Sequence, residues 1–220
     1  MKRTDLRHNH LRLALWELRP GTGRPLLLLH GLGEQTTPDA LDAVESWPGP
    51  VHGLDLTGHG ASDVPKGGGY YCEILMADAD IALAALQPDD GPGVTVVGRG
   101  LGGYITLLIA GARPDIVRGA VIADGPGLYG GGPGPTSPLL YRPEQDGSTP
   151  DPVALVELAI DVRPPDYART FAWQASALSG LQTAIAITAV NRPPWLAEVA
   201  AHPGVVESDL ASALELFAGA

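Results

Sequence analysis

The chain has 220 residues, 45% of them hydrophobic and 18% charged, with a formal net charge of −11. That length and apolar share fit one globular core, and the acidic balance argues against a nucleic-acid partner, whose phosphates it would repel. The lone cysteine, Cys72, excludes an internal disulfide and gives no sign of an oxidising compartment.

No Cys/His spacing suits zinc, so no metal or cofactor is expected. Residues 1–10 are basic and polar, with no apolar stretch of signal-peptide length after them. The run Leu26-Leu27-Leu28-Leu29 is too short to span a bilayer. These features lead to the expectation of a soluble, cytoplasmic protein with no membrane partner; the oligomeric state is not legible.

In chain order, residues 10–18 alternate loosely (Leu11, Leu13, Leu15 against Arg12, Glu17) and predict a strand. The apolar run at 26–29 predicts a strand covered on both faces, and 51–54 another. Residues 74–86 carry apolar residues at helical spacing. Residues 94–97 are a β-branched strand, 101–112 a helix ending before Pro114, and 120–123 a further strand. Residues 125–150 hold seven Gly and six Pro in 26 positions, which predicts an irregular surface segment. Helices follow at 153–160 and 167–178, a strand at 184–190, and a helix at 194–200. Last come a very short strand at 205–206 and a helix at 209–217, with Ser208 as its expected N-cap. Alternating strands and helices with apolar strands predict an α/β fold with a mainly parallel sheet flanked by helices. Ligands of such sheets bind at the carboxyl ends of the strands.

Three turns at such ends carry a resemblance. Leu27-Leu28-Leu29-His30-Gly31-Leu32-Gly33 resembles the strand-HGxG loop of α/β-hydrolases. The stretch Asp55-Leu56-Thr57-Gly58-His59-Gly60-Ala61-Ser62 resembles their D-x-x-G-H-G-x-S turn. Val97-Gly98-Arg99-Gly100-Leu101-Gly102-Gly103 resembles the nucleophile elbow V-G-H-S-L-G-G, with Gly100 in the serine position. The resemblance implies a single α/β-hydrolase-like domain over 1–220. A short lid, at about 125–180, would follow the family's sixth strand, here 120–123.

In the family a serine attacks, a histidine takes its proton and an acid orients the histidine. Here the serine position is Gly100, which has no side chain. The acid position, after the strand at 184–190, reads Asn191-Arg192-Pro193. The histidine position reads Val206-Glu207-Ser208-Asp209. Asp124 is a weak alternative acid and otherwise a turn residue. His202 lies on the wrong side of the last strand. His30 and His59 belong to turns with structural roles, and Cys72 is a bystander unless the fold brings it to the site.

The backbone donors are independent of the missing serine. The resemblance implies an oxyanion hole from the N–H of Leu101 and that of Leu32 or Gly33. Arg99 adds a charge beside the turn, and the helix start adds its dipole. Gly100 adopts the elbow's positive φ without steric cost. Tyr104 and Tyr129 are the aromatic residues nearest the site in sequence, and residues 125–150 border its entrance. The leading expectation is a degenerate hydrolase, a pseudoenzyme, whose pocket of Leu32, Gly33, Arg99, Gly100 and Leu101 takes a small carboxylate or carbonyl ligand without cleaving it. The alternatives are an active esterase-like hydrolase or a lyase working through displaced residues such as Asp124 or His30, and an interaction protein.

Overall fold

A computed structural model describes residues 1–87, 91–135 and 143–219. Eight strands form one sheet: β1 (Lys2–His8), β2 (Leu11–Arg19), β3 (Leu26–Leu29), β4 (Val51–Asp55), β5 (Val94–Arg99), β6 (Val117–Ala123), β7 (Ile185–Ile187) and β8 (Val205–Glu207). Their order across the sheet is β1-β2-β4-β3-β5-β6-β7-β8. The β1–β2 and β2–β4 pairs are antiparallel and all later pairs are parallel. Among the described residues six α-helices accompany it: α1 (Cys72–Leu86), α2 (Leu101–Ala112), α3 (Pro152–Ile160), α4 (Pro165–Leu178), α5 (Pro194–Ala200) and α6 (Leu210–Ala218). A seven-residue 3-10 helix, Pro38–Val44, lies between β3 and β4.

Strand alternation divides the core in two. Leu27 and Leu29 of β3, with Val94 and Val96 of β5, pack with residues of α1, α2, α4 and α5. Leu26 and Leu28, with Val97, face the opposite side, where α6 and the 3-10 helix supply Leu214, Phe217 and Val44. The first side is thickly covered and the second thinly. Continuous apolar runs are what a parallel strand buried on both faces requires.

Three expectations are corrected. Residues 1–10 are not merely a polar lead: Lys2–His8 is a strand, joined to β2 by the two-residue turn Asn9-His10, where Asn9 takes φ 55°. Asparagine tolerates that left-handed conformation, which tight hairpins demand. The strand expected over 184–190 is only Ile185–Ile187, because beyond it the backbone of Val190 and Asn191 bonds to Asp124 instead of to a strand. The N-cap of the last helix is Asp209, whose carboxylate accepts the Ser212 N–H, and not Ser208. Aspartate one residue later reaches that N–H, and the Ser208 hydroxyl is left buried without a partner. Of the irregular segment 125–150, residues 136–142 lie outside the described residues; the rest forms no helix or strand. Among the described residues no helix is long and apolar enough to cross a membrane.

Candidate functional site at the β5–α2 turn

The turn from β5 into α2 is tight. Helix α2 lies so near the strands that a Cβ on Gly102 would sit 2.4 Å from the Leu29 carbonyl oxygen. Gly100 has φ 58° and ψ −120°, a conformation that L side chains rarely adopt, as the elbow reading expects. The backbone of an elbow is therefore present and its side chain is not.

What occupies the elbow is the chain itself. The N–H of Leu101 donates to the carbonyl oxygen of Pro126 at 2.9 Å, and the N–H of Leu32 donates to the same oxygen at 3.0 Å. Two amides from different loops converging on one oxygen is the geometry of an oxyanion hole. Leu32 supplies the second amide, from the HGxG-like loop; Gly33, the other candidate, has φ 78° with the Leu155 side chain beside it. Residues 125–150 therefore do more than border the site, because Gly125 and Pro126 fill it. A Cβ on Gly100 would meet the Pro126 oxygen at 2.0 Å and the Gly125 carbonyl carbon at 2.6 Å.

The filling segment is anchored behind. The Leu128 carbonyl accepts from the Trp195 indole N–H at 2.9 Å and from Arg163 Nη1 at 2.7 Å. Trp195 meets Tyr104 edge-on at 4.9 Å, and the Arg163 guanidinium lies 4.6 Å from the Tyr104 ring centroid. Tyr104 is thus a buried strut of this wall, while Tyr129 is exposed.

The other candidate residues are committed elsewhere. Arg99 forms an ion pair with Glu34, whose second oxygen accepts the Gly31 N–H at 2.9 Å. His30 is buried; its Nε2 accepts the Leu56 N–H at 3.0 Å and its Nδ1 donates to the Gly31 carbonyl at 2.8 Å. Burial also pushes its pKa below the ordinary value. His59 packs 5.1 Å from it, and burial with the neighbouring ring pushes its pKa down to about 4. Asp124 accepts the N–H groups of Val190 (2.6 Å) and Asn191 (3.1 Å) and the Asn191 amide at 2.9 Å. Partial burial lifts its carboxyl, but these hydrogen bonds together outweigh that and hold it below the usual carboxylate range. Cys72 is buried at the start of α1, and desolvation raises its thiol well above the usual value. His202 precedes β8, at the amino ends of the parallel strands and away from the elbow.

The stretches that the resemblance gives to the acid and the histidine, 191–193 and 206–209, contain Arg192 and Glu207. They form an ion pair at 3.1 Å. Ser208 uses its N–H on the Ile187 carbonyl at 3.1 Å.

Comparison with known proteins agrees with this geometry at the level of fold. The chain superposes on a serine-to-alanine variant of N-formylmaleamic acid deformylase from Pseudomonas putida S16 with a TM-score of 0.68 over 94% of this chain and 92% of the other, at 17% identity. It superposes on the thioesterase domain of the curacin biosynthetic pathway with a TM-score of 0.67 over 99% of each chain, at 15% identity. The chain has the α/β-hydrolase fold. No family model matches this α/β-hydrolase-fold chain. Lipase LipV of Mycobacterium tuberculosis is 39% identical over 77 residues, 34% of this chain and 27% of the lipase. An uncharacterised protein of Mycobacterium bovis is 31% identical over 115 residues, 49% of this chain and 31% of that protein. The matches thus span less than a third of these curated relatives' length.

Proposed function

We propose that this chain is a non-hydrolysing α/β-hydrolase-fold protein, a pseudoenzyme that keeps the elbow as backbone and uses it for binding or support. The observation that carries the reading is the Pro126 carbonyl oxygen seated on the Leu101 and Leu32 N–H groups. Acyl transfer needs those donors for the oxygen of the tetrahedral intermediate, and here a peptide carbonyl holds them. It needs a nucleophile, and Gly100 has none. It needs a base oriented by an acid, and the Arg192–Glu207 ion pair supplies no imidazole for that task.

A small carboxylate or carbonyl compound reaching Leu101 and Leu32 must displace the Pro126 carbonyl first. The rival reading, hydrolysis or lyase chemistry through Asp124 or His30, requires a free acid or base. Each of these two residues spends its polar atoms on backbone hydrogen bonds.

The test is turnover of short-chain aryl esters, with fluorophosphonate labelling run alongside. The expected result is no turnover above the buffer rate and no labelled serine. Sustained turnover by protein free of contaminating esterase, or a fluorophosphonate adduct on any serine, overturns the proposal. The same outcome would revive the relatives' hydrolase chemistry for this chain.

A further inference from the structure

The thin cover on the α6 side of the sheet leaves a cleft of about 620 Å³. Its floor is Leu28 and Val97, and its walls are Ala40, Val44 and Leu210. The volume lies within the range of about 300–1,000 Å³ usual for small-molecule sites. The 3-10 helix is only seven residues long and α6 begins at Leu210, so apolar strand residues that a longer helix would cover stay reachable. Neither Gly100, Leu101, Leu32 nor Pro126 lines this cleft, which borders the elbow through His30 and Arg99.

Arg99 is the cation on its wall. Its guanidinium is half-exposed and engages Glu34 through Nη1, one of the several N–H donors of its fork. A guanidinium fork matches a carboxylate better than any other common group. Its tie to Glu34 is an exposed ion pair, which contributes little and exchanges readily. Glu34 itself stays held by the Gly31 N–H whether or not it pairs with Arg99.

We propose that this cleft is a binding site for an amphipathic monocarboxylate. The apolar body lies along Leu28, Val97 and Leu210, and the carboxylate takes the place of Glu34 on Arg99. The ligand class follows from an apolar floor with the Arg99 guanidinium beside it; of the two carboxylates that also line the cleft, Glu34 is the one the ligand displaces and Asp39 stays exposed. The proposal does not rest on the loss of hydrolysis at the elbow, and either can fail alone.

The probe is octanoate, titrated by calorimetry and by amide chemical-shift mapping, with octylammonium and 1-octanol as controls. Octanoate is expected to bind with a Kd on the order of 1 mM, as a ligand of its size allows. It should shift the amides of Thr36, Val97 and Leu210 while leaving those of Leu32 and Leu101 in place. Arg99→Gln should weaken octanoate about tenfold, the equivalent of one charge-assisted hydrogen bond. Glu34→Gln, which keeps an acceptor for Gly31 but removes the competing charge, should tighten it severalfold. Leu210→Trp, at the half-buried start of α6, and Ala40→Phe should each fill the cleft; whichever stays folded by circular dichroism should abolish binding. The proposal is overturned if octanoate does not bind, or if octylammonium or octanol binds as tightly. It is also overturned if Arg99→Gln and Glu34→Gln move the affinity in the same direction, or if the shifted amides are those of the elbow.

Discussion

Replacing Gly100 by alanine puts the filled elbow under direct test. The new Cβ would lie 2.0 Å from the Pro126 oxygen and 2.6 Å from the Gly125 carbonyl carbon. Both atoms are backbone, so no rotamer change relieves the overlap. Holding φ at 58° with a side chain attached adds strain of about 1–3 kcal/mol. Moving Gly125 and Pro126 aside surrenders two N–H···O bonds of about 1 kcal/mol each. The expected loss is about 3–5 kcal/mol, read as a fall in the urea midpoint at unchanged m-value. In thermal melts this is a Tm drop on the order of 10 °C for a chain of this size. Gly100→Ser shares the Cβ and should lose the same amount while gaining no esterase activity. If Gly100→Ala is as stable as the parent to within about 0.5 kcal/mol, the Pro126 carbonyl does not sit against Gly100 in solution.

Three further outcomes follow from the same geometry. The Leu101 and Leu32 amides should be strongly protected from hydrogen exchange; Trp195→Phe, which removes one of the two donors holding Leu128, should lower that protection. Equal exchange in parent and variant would refute the coupling. The His8 ring bonds to buried Asp78 at 2.6 Å, and this bond with the charge of Asp78 raises the histidine pKa against partial desolvation. The stabilisation it provides is complete below the unfolded value of about 6.5 and is lost as pH rises through the higher folded value. The stability gap between parent and His8→Gln should therefore narrow from pH 5.5 to pH 9 in urea titrations; a gap that widens contradicts it. The Tyr70 hydroxyl donates to buried Asp151 at 2.6 Å, beside Gln145 at 2.7 Å, pinning residues 145–151 to the Gly58 turn. Tyr70→Phe should cost about 1.5–3 kcal/mol in chemical denaturation, the range for a hydrogen bond to a charged group; a neutral effect would mean Gln145 alone satisfies the carboxylate.

The sequence spelled out the parallel core because strands such as Leu26–Leu29 and Val94–Val97 are continuously apolar, and helices such as Leu101–Ala112 end at plain breakers. It hid β1, whose Lys2, Arg3, Asp5 and Arg7 face water on a sheet edge and leave no apolar pattern. The Asn9-His10 pair just ahead of β2 was the available signal. The elbow's conformation was legible in its glycines. Its occupancy was not, since the contact between Pro126 and Gly100 is a backbone matter and proline's side chain advertises only a turn. A hint lay in the juxtaposition of Gly100 with Gly125-Pro126-Gly127: three glycines flanking two contacts mark a place where chains approach with no room for Cβ atoms. The direction taken by Arg99 was equally invisible, because it depends on Glu34, 65 positions away.

The Pro126 carbonyl on Leu101 and Leu32 sets the order in which a nucleophile could be engineered into this scaffold. A serine placed at position 100 by itself meets a wall, because its first side-chain atom falls on a backbone already seated there. The 125–128 segment must first be rerouted, against the grip of Trp195 and Arg163 on Leu128, before such a serine has anywhere to stand. For anyone building a hydrolase here, the loop comes first and the triad afterwards.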